Sequence, residues 1–342
     1  MSENLKNILV VKLSAIGDVI HALPVSYAIK ETFPDAKLTW VVEPPAYDLL
    51  KINPYIDKII IFRKKEFKTL KGLARNFFPF RKEIQAENYD AVLDLQGLFK
   101  SAAIAFFAQS NIKLGICNMR ELSNKISKPV IGEHSQGHIV ERYLDTARAI
   151  GCRVDKVVFP LEIPPEESLK AIEIMIQNEL DETKPYAVFA VGANWANKRW
   201  RTDYFAELGN WLYSVGVVPV IIGGGKLDEE RTAEIISKMQ IPPVNLVGKT
   251  NLIQLAYVIK KARLCIGGDT GPVHLAAGLG VRTVMLMGPT DANRNGPYGQ
   301  IENAIEVDRD CKGCWKRACH KNEDCLEKIS VQLVKDKILS MK

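Results

Sequence analysis

The segment NILVVKLSAIGDVIHALP, residues 7–24, indicates the fold class of this chain. It opens with Asn7 to Leu13, an apolar run with one interruption, as expected of a strand that is buried on both faces of a parallel sheet. A turn with Gly17 follows, and Asp18 is a natural helix N-cap. Pro24 leaves open whether the next helix starts at Asp18 or begins again at the proline. This strand–turn–helix order predicts an α/β protein.

The same alternation continues on both sides of a proline-rich break. Further strand candidates are Lys37 to Val42, Lys58 to Phe62, Ala91 to Leu95, Tyr186 to Val191, Val217 to Ile222, Leu264 to Ile266 and Thr283 to Met287. The break, FPLEIPPE at 159–166, holds three prolines and indicates a linker. We predict two Rossmann-like domains, residues 1–160 and 161–342, with an interdomain cleft that binds ligands at the carboxyl ends of the strands.

Length and composition are those of a globular protein with two domains. The chain has 342 residues, of which 47% are hydrophobic and 25% are charged, enough to bury a large core. We find no run of about 18 apolar residues that would predict a transmembrane helix. The polar start, Met1 to Asn7, lacks a signal-peptide pattern, so we expect a cytoplasmic protein.

The net charge of +6 is concentrated in one basic segment, residues 63–82. Eight basic residues there, opposed only by Glu66, give the segment a net charge of +7. They are Arg63, Lys64, Lys65, Lys68, Lys71, Arg75, Arg81 and Lys82, and they alternate with Phe67, Phe77, Phe78 and Phe80. Such a segment can be a solvated helix face or a surface that meets anionic lipid. Nucleic acid is a third possible ligand, but no recognition motif supports it.

Asp18 has two possible roles. It can serve only as a helix cap. It can also act as a general base, because a carboxylate at the carboxyl end of a strand faces the predicted cleft, and the helix dipole would keep it ionised. The turn has one glycine and no G-x-G-x-x-G pattern, which argues against a dinucleotide-dependent dehydrogenase.

The segment GGDTGPVHLAAG, residues 267–278, connects a predicted strand to a predicted helix. The backbone N–H groups of Thr270 and Gly271, the Thr270 hydroxyl and His274 would surround an anion at the start of this helix. We therefore predict a diphosphate site there. The alternative is a glycine-rich turn with a capping Asp269 and a packed histidine.

Two further signals are weaker. Lys198 and Arg199 follow the strand candidate at 186–191, where they could neutralise a leaving diphosphate or simply be solvated. Four cysteines, Cys311, Cys314, Cys319 and Cys325, have the spacing C-x2-C-x4-C-x5-C. The first pair would suit zinc, but the remaining spacing is irregular, so we expect reduced thiols that pack a loop, and no metal.

Taken together, these segments resemble glycosyltransferase family 9, the heptosyltransferases of lipopolysaccharide core synthesis. KLSAIGDVIHALP (12–24) is similar to the family's opening motif, and GGDTGPVHLAA (267–277) with MGPTD (287–291) is similar to its donor motif. ENYDAVLDLQGLFKSA (87–102) and HIVERYLD (138–145) resemble heptosyltransferase I more than heptosyltransferase II. The cysteine segment departs from this and is closer to some heptosyltransferase II sequences.

The resemblance implies a GT-B fold and an inverting transfer of L-glycero-D-manno-heptose from ADP-heptose to Kdo-lipid A, with no metal or other cofactor. The first domain would bind the acceptor. The second would bind the donor and carry both the cysteine segment, 311–325, and a C-terminal helix. The alternatives are heptosyltransferase II, another family 9 transferase, a non-catalytic nucleotide-sugar binding protein or a sugar-nucleotide epimerase.

The resemblance also assigns roles to single residues. Asp18 falls on the family's proposed base, and Lys198 falls on a lysine that contacts the donor phosphates. The family's donor-binding run falls on Asp269, Thr270, Gly271 and His274. We expect Arg63, Lys64, Lys65 and Lys68 to hold the anionic acceptor, with the enzyme peripheral on the cytoplasmic face of the inner membrane and not bound to nucleic acid.

Overall fold

The computed structural model describes residues 5–67, 69–319, 321, 323 and 325–341. The chain divides into two compact units, Met1–Glu162 (unit 1) and Ile163–Lys342 (unit 2). Each unit contains one six-stranded sheet. Every pairing between neighbouring strands is parallel. The α/β prediction of two Rossmann-like domains is confirmed.

Unit 1 follows the alternation that its sequence predicts. Its strands are β1 (Asn7–Val11), β2 (Lys37–Val42), β3 (Lys58–Ile61), β4 (Ala91–Asp94), β5 (Ile112–Gly115) and β6 (Lys128–Pro129). Its α-helices are α1 (Ile16–Ala22), α2 (Pro24–Thr32), α3 (Tyr47–Lys51), α4 (Leu70–Ile84), α5 (Phe99–Phe107) and α6 (Ile139–Arg148). The helix does begin again at Pro24, where α2 starts, but α1 starts at Ile16, two residues before Asp18.

Unit 2 repeats the same construction. Its strands are β7 (Tyr186–Ala190), β8 (Val218–Ile222), β9 (Val244–Asn245), β10 (Leu264–Gly268), β11 (Thr283–Met287) and β12 (Ala304–Glu306). Its α-helices are α7 (Pro165–Gln177), α8 (Thr202–Ser214), α9 (Lys226–Lys238), α10 (Leu252–Lys261), α11 (Gly271–Gly278), α12 (Ala292–Asn295) and α13 (Val331–Ser340).

The central strands form the core of each unit because helices cover both faces of a parallel sheet. In unit 1 the side chains of Leu9 and Val11 on β1 are completely buried and belong to a cluster with Val92 on β4. In unit 2 Phe189 on β7 packs against Phe205, and the two rings lie 5.2 Å apart. The sequence pattern predicts these strands because strands buried on both faces are continuous apolar runs.

The strand order is the same in both units and determines where ligands can bind. The sheet of unit 1 runs β3-β2-β1-β4-β5-β6, and the sheet of unit 2 runs β9-β8-β7-β10-β11-β12. The direction of progress reverses between β1 and β4 and again between β7 and β10. In doubly wound sheets the loops at this switch point, at the carboxyl ends of the strands, form the ligand site. No helix within the described residues has the length and hydrophobicity needed to cross a membrane.

Candidate active site

Three ionisable side chains meet at the switch point of unit 2. Lys198 comes from the short 3-10 turn after β7, Asp269 directly follows β10, and His274 lies on α11. The Lys198 Nζ donates to Asp269 Oδ2 at 2.6 Å, and His274 Nε2 lies 2.7 Å from Asp269 Oδ1. Each carboxylate oxygen therefore has its own partner. The structure brings together three of the residues singled out in the sequence.

Burial makes this cluster electrostatically strong. Asp269 and His274 are almost completely buried, and the Lys198 side chain is 14% exposed. Burial alone would raise the pKa of Asp269, but the hydrogen bond from His274 and the positive charge of Lys198 outweigh it. The pKa of Asp269 consequently lies far below its usual range, and the carboxylate stays ionised.

Two glycines allow the loops of this cluster to approach one another. A Cβ added at Gly268 would lie 2.0 Å from the backbone oxygen of Lys198. A Cβ at Gly267 would lie 2.8 Å from the backbone oxygen of Ala190, at the end of β7. A side chain at Gly268 would therefore push away the turn that carries Lys198. The dense glycines of this segment serve packing as well as ligand access.

The first turn of α11 presents hydrogen-bond donors next to the cluster. Thr270 is the N-cap residue, and its hydroxyl lies 3.3 Å from the Gly268 carbonyl oxygen. Gly271 is the first helical residue, and an N–H at that position has no acceptor within the helix. Together with the helix dipole, these groups favour an anion. His274, which we expected to reach that anion directly, hydrogen-bonds to Asp269 instead.

Sequence reasoning missed the aromatic side of the Lys198 turn. The Lys198 ammonium lies 4.5 Å from the centre of the Trp195 ring, and the Arg317 guanidinium lies 5.6 Å from the same ring. In addition, Asn197 Nδ2 donates to the backbone oxygen of Lys316 at 2.8 Å. The cysteine segment thus holds the Lys198 turn. Trp195, three residues before Lys198, was a signal that could have been used.

In unit 1, the loop after β1 carries Asp18. Asp18 is the third residue of α1 and not its N-cap, so the predicted capping position is wrong by one turn. Its Oδ2 accepts from the Ala15 N–H at 3.1 Å and closes the loop onto the helix. The residue is half-buried. The carboxylate therefore lies at the switch point of unit 1, as expected of the candidate base.

Several residues that the sequence did not single out hold this loop. Gln96, in the loop after β4, accepts from the backbone N–H groups of Leu13 and Ser14, each at 3.1 Å. Lys100, in the first turn of α5, donates to Ser14 Oγ at 3.1 Å and to Glu43 Oε1 at 2.5 Å. Lys100 and Ser14 are 86 residues apart, so no local pattern could have paired them.

Below the same loop, Lys12 forms a buried support. It is 2% exposed, and its Nζ donates to the Tyr143 hydroxyl at 2.7 Å and to the Leu95 carbonyl at 3.2 Å. The Nζ also lies 4.8 Å from the centre of the Tyr143 ring. A buried ammonium needs such partners. The ends of β1 and β4 are therefore fixed to α6.

The basic segment only partly matches its expected form. Arg63, Lys64 and Lys65 are exposed, and Lys68 lies outside the described residues. Two of the four phenylalanines of this segment do not face outward. Phe67 and Phe80 turn inward, because their rings lie 5.0 and 5.3 Å from the ring of Phe62 at the edge of the core. Both rings pack against the core of unit 1, Phe67 from a short 3-10 turn and Phe80 from α4.

The four clustered cysteines are free thiols. Cys325 is buried, and burial together with the neighbouring thiols raises its pKa to about 11. The other three are half-buried. Across the part of the chain that the structure describes, no group of three or more His, Cys, Asp or Glu side chains is arranged to hold a metal ion.

The chain is similar to known proteins over most of its length. The family model for glycosyltransferase family 9 (heptosyltransferase) matches residues 77–324. Lipopolysaccharide heptosyltransferase 1 of Pseudomonas aeruginosa is 28% identical over 321 residues, which cover 91% of this chain and 87% of that one. The glycosyltransferase family 9 structure from Veillonella parvula has a TM-score of 0.85 at 24% identity, covering 98% of this chain and 96% of that one.

A further solved structure is E. coli heptosyltransferase WaaC with ADP-2-deoxy-2-fluoro heptose. It matches with a TM-score of 0.73 at 25% identity, covering 97% of this chain and 99% of that one. Two Rossmann-like units of this topology, together with these relatives, define the class: a glycosyltransferase of GT-B fold. The chain belongs to glycosyltransferase family 9, the heptosyltransferases, and the family prediction is confirmed.

The Asp269 cluster predicts a specific dependence of stability on pH. At pH 7, Asp269→Asn should lower the free energy of unfolding by about 3 kcal/mol, because Lys198 loses its buried counterion. The folded pKa of Asp269 is depressed, so its stabilising effect is complete above the ordinary carboxyl pKa of about 3.9. The effect declines as the pH falls below that value, and the gap between wild type and variant should narrow.

Urea denaturation at pH 7 and at about pH 3 measures this gap. Tryptophan fluorescence suits it, because four of the five tryptophans belong to unit 2. Asp336→Asn, at an exposed carboxyl on α13, is the matched control and should change little at either pH. An Asp269→Asn variant with the same deficit at both pH values would contradict the assignment.

Proposed function

We propose that this enzyme transfers L-glycero-D-manno-heptose from ADP-heptose to Kdo-lipid A, with inversion at the anomeric carbon. The observation that carries the proposal is the cluster of Lys198, Asp269 and His274 beside the start of α11, which offers fixed donors to a diphosphate. The names of the relatives support the same reaction: one is a lipopolysaccharide heptosyltransferase, and one was solved with an ADP-heptose analogue.

On the donor side, the groups act on the leaving diphosphate. An ammonium has three N–H groups, and Lys198 uses one of them on Asp269, so the others can bind phosphate oxygens. The Gly271 N–H adds a neutral donor at the positive end of α11, and the Thr270 hydroxyl adds another once it rotates away from the Gly268 carbonyl. These donors stabilise the charge that grows on ADP as the glycosidic bond breaks.

Asp269 and His274 have a positioning role in this scheme. A carboxylate repels a diphosphate, so Asp269 contributes by holding Lys198 and His274 in place and not by contacting the phosphates. This role explains why both of its oxygens are already occupied by protein partners. The same carboxylate keeps the lysine side chain from moving freely in the absence of donor.

On the acceptor side, Asp18 is the proposed base. Its carboxylate would accept the proton of an acceptor hydroxyl while that oxygen attacks the anomeric carbon from the face opposite ADP. Among the described residues, none donates a hydrogen bond to Asp18 Oδ1, whereas Oδ2 accepts from the Ala15 N–H. A base needs such an available oxygen. The surrounding loop is fixed by Gln96 and Lys100.

The acceptor would be held by the exposed basic side chains of residues 63–65, with Lys68 as a further candidate from the sequence. Kdo-lipid A carries phosphates and carboxylates, which suit exposed lysine and arginine. We place the enzyme at the cytoplasmic face of the inner membrane, because its proposed donor is a nucleotide sugar and its proposed acceptor is a lipid.

The decisive experiment offers ADP-heptose with Kdo-lipid A and, separately, with heptosylated Kdo-lipid A. We expect consumption of the first acceptor, Kdo-lipid A.

Asp18→Asn should lower kcat by about 10²–10⁴ and leave ADP affinity nearly unchanged, because a base acts only as the transition state forms. Mass spectrometry of the lipid product and calorimetry with ADP measure the two quantities.

Asp35→Asn, the same chemical change at an exposed site of unit 1, is the control and should retain wild-type kcat. Preference for the heptosylated acceptor would indicate heptosyltransferase II, in line with the cysteine segment. Turnover of ADP-heptose without any acceptor would indicate an epimerase. Near-normal kcat in Asp18→Asn would remove Asp18 from the mechanism.

The proposed donor site predicts a loss of ADP affinity in Thr270→Ala. One hydrogen bond to a charged phosphate is lost, so binding should weaken by about 1.5–3 kcal/mol in a calorimetric titration. Thr183→Ala is the matched control, since Thr183 precedes β7 at the amino ends of the parallel strands, whereas Thr270 follows β10 at their carboxyl ends. Equal ADP affinity in the two variants would place the diphosphate elsewhere.

The proposed acceptor site predicts a salt effect. The screening length falls from about 10 Å at 0.1 M salt to about 3 Å at 1 M, so the acceptor KM should rise steeply with salt. The KM for ADP-heptose, set by buried contacts, should change less. A triple variant should raise the acceptor KM and flatten its salt dependence: Lys64→Gln, Lys65→Gln and Lys68→Gln.

The control for this variant removes the same charge from exposed helix positions of unit 2: Lys170→Gln, Lys226→Gln and Lys260→Gln. It should retain the wild-type acceptor KM and salt response. If the two triple variants have the same acceptor KM and the same salt response, this part of the basic segment is a solvated surface and the acceptor binds elsewhere in unit 1.

A further inference from the structure

Helix α5 has an exposed apolar face. Phe99 and Phe106 are 68% and 59% exposed, and Ala103 lies between them at helical spacing. The one charged residue of α5 is Lys100, and its ammonium is engaged by Ser14 and Glu43. The outer face of this helix is therefore uncharged, which is unusual for a helix at the surface of a globular protein.

A continuous chain of aromatic rings extends this face onto α4. The ring centres of Phe106 and Phe107 are 5.3 Å apart, those of Phe107 and Phe77 are 5.2 Å apart, and those of Phe77 and Phe78 are 5.5 Å apart. Phe78 ends the chain and is 68% exposed. Exposed apolar residues elsewhere, such as Leu339, are ordinary when they occur singly, but a connected patch indicates an interaction surface.

Basic side chains lie along the same side of this patch. Lys71, Arg75 and Lys82 are exposed. Successive spacings of four, three and four residues along Lys71, Arg75, Phe78 and Lys82 put all four on one side of α4. Arg81 lies over the Phe107 ring, with 5.4 Å between its guanidinium carbon and the ring centre. Cations beside exposed aromatic rings match the boundary between lipid headgroups and acyl chains.

We propose that the exposed face formed by Phe99, Phe106, Phe78 and the basic side of α4 (Lys71, Arg75, Lys82) docks unit 1 onto an anionic lipid bilayer. The inference rests on the proposed function in one respect, namely that the acceptor is a lipid. Charge complementarity selects this occupant, since the apolar patch is bordered by cations that an anionic membrane attracts. The phenylalanines enter the headgroup region, and the basic side chains bind lipid phosphates.

The position of this face relative to the candidate base gives the docking a purpose. Phe99 is adjacent to Lys100, and Lys100 hydrogen-bonds to Ser14 in the loop that carries Asp18. The membrane-facing end of α5 and the base thus belong to the same local structure of unit 1. A sugar that projects from the bilayer surface would meet that loop without its lipid leaving the membrane.

Sedimentation with vesicles tests the docking without any substrate. The probes are vesicles of phosphatidylcholine with about 30% phosphatidylglycerol, and vesicles of phosphatidylcholine alone. We expect binding to the anionic vesicles that weakens with salt. The double variant Phe78→Ser with Phe106→Ser should weaken the partition about tenfold or more, because two large apolar groups no longer leave water.

The charge variant Lys71→Gln, Arg75→Gln and Lys82→Gln should lose about fivefold in binding for each residue, and its binding should depend less on salt than that of wild type. The matched control, Ile176→Ser with Leu339→Ser, removes two equally exposed apolar side chains from unit 2 and should bind like wild type. Circular dichroism and thermal melts verify that all variants fold.

Heptose transfer to a deacylated, water-soluble acceptor distinguishes the membrane-docking proposal from the proposed transferase function. The docking variants should keep wild-type kcat on that acceptor and lose rate on acceptor in vesicles. The docking proposal would be overturned if wild-type protein did not bind anionic vesicles, or if the docking variants bound them as well as wild type does. Failure to transfer heptose to the soluble acceptor, with vesicle binding intact, would instead count against the proposed function.

Discussion

A buried carboxylate, Asp269, determines the arrangement of the loops around the proposed donor site of unit 2. An ion removed from water must be compensated on every side, and here one oxygen meets Lys198 and the other meets His274. The three residues come from the loop after β7, the loop after β10 and helix α11. Their mutual attraction therefore fixes the turn after β7 to the connection between β10 and α11, and Gly268 provides the space for it.

The two units share a strand order but use their switch points differently. In unit 2, both oxygens of Asp269 are occupied, so that carboxylate can organise its neighbours but cannot accept a proton easily. In unit 1, Asp18 is half-buried and its recorded contact is with Ala15, three residues away. The same fold thus gives Asp269 a protein partner at each oxygen and holds Asp18 through one oxygen only, as the proposed base requires.

How far the sequence predicted these features depends on the range of the interactions. Strands such as β1 and β7 were readable because buried parallel strands are continuous apolar runs. Asp269 and Thr270 were found because a glycine-rich turn before a helix is a local signal. The bond from Lys100 to Ser14 joins residues far apart in the chain, and no pattern of either segment contains it. It follows from the placement of β1 beside β4.

The phase of helix α4 shows the same limit within a single segment. The sequence places Phe77, Phe78 and Phe80 in one basic stretch, but composition does not tell which of them faces the sheet. Phe80 packs against Phe62, Phe77 against Phe107, and Phe78 is exposed. The packing of α4 on the core decides which side of the helix faces inward. The phenylalanines of this stretch therefore divide into an inner group and an exposed one.

The charge balance of the Asp269 cluster constrains how the proposed donor site would recognise a diphosphate. Lys198 and Asp269 together carry no net charge, so long-range attraction by this pair is weak. Recognition must then depend on directed N–H and O–H groups at short range: the remaining Lys198 protons, the Thr270 hydroxyl and the start of α11. Donors already held in place by a buried carboxylate need little rearrangement as charge develops on the leaving group. The carboxylate that lowers the net charge of the site is thus also what orders the donors.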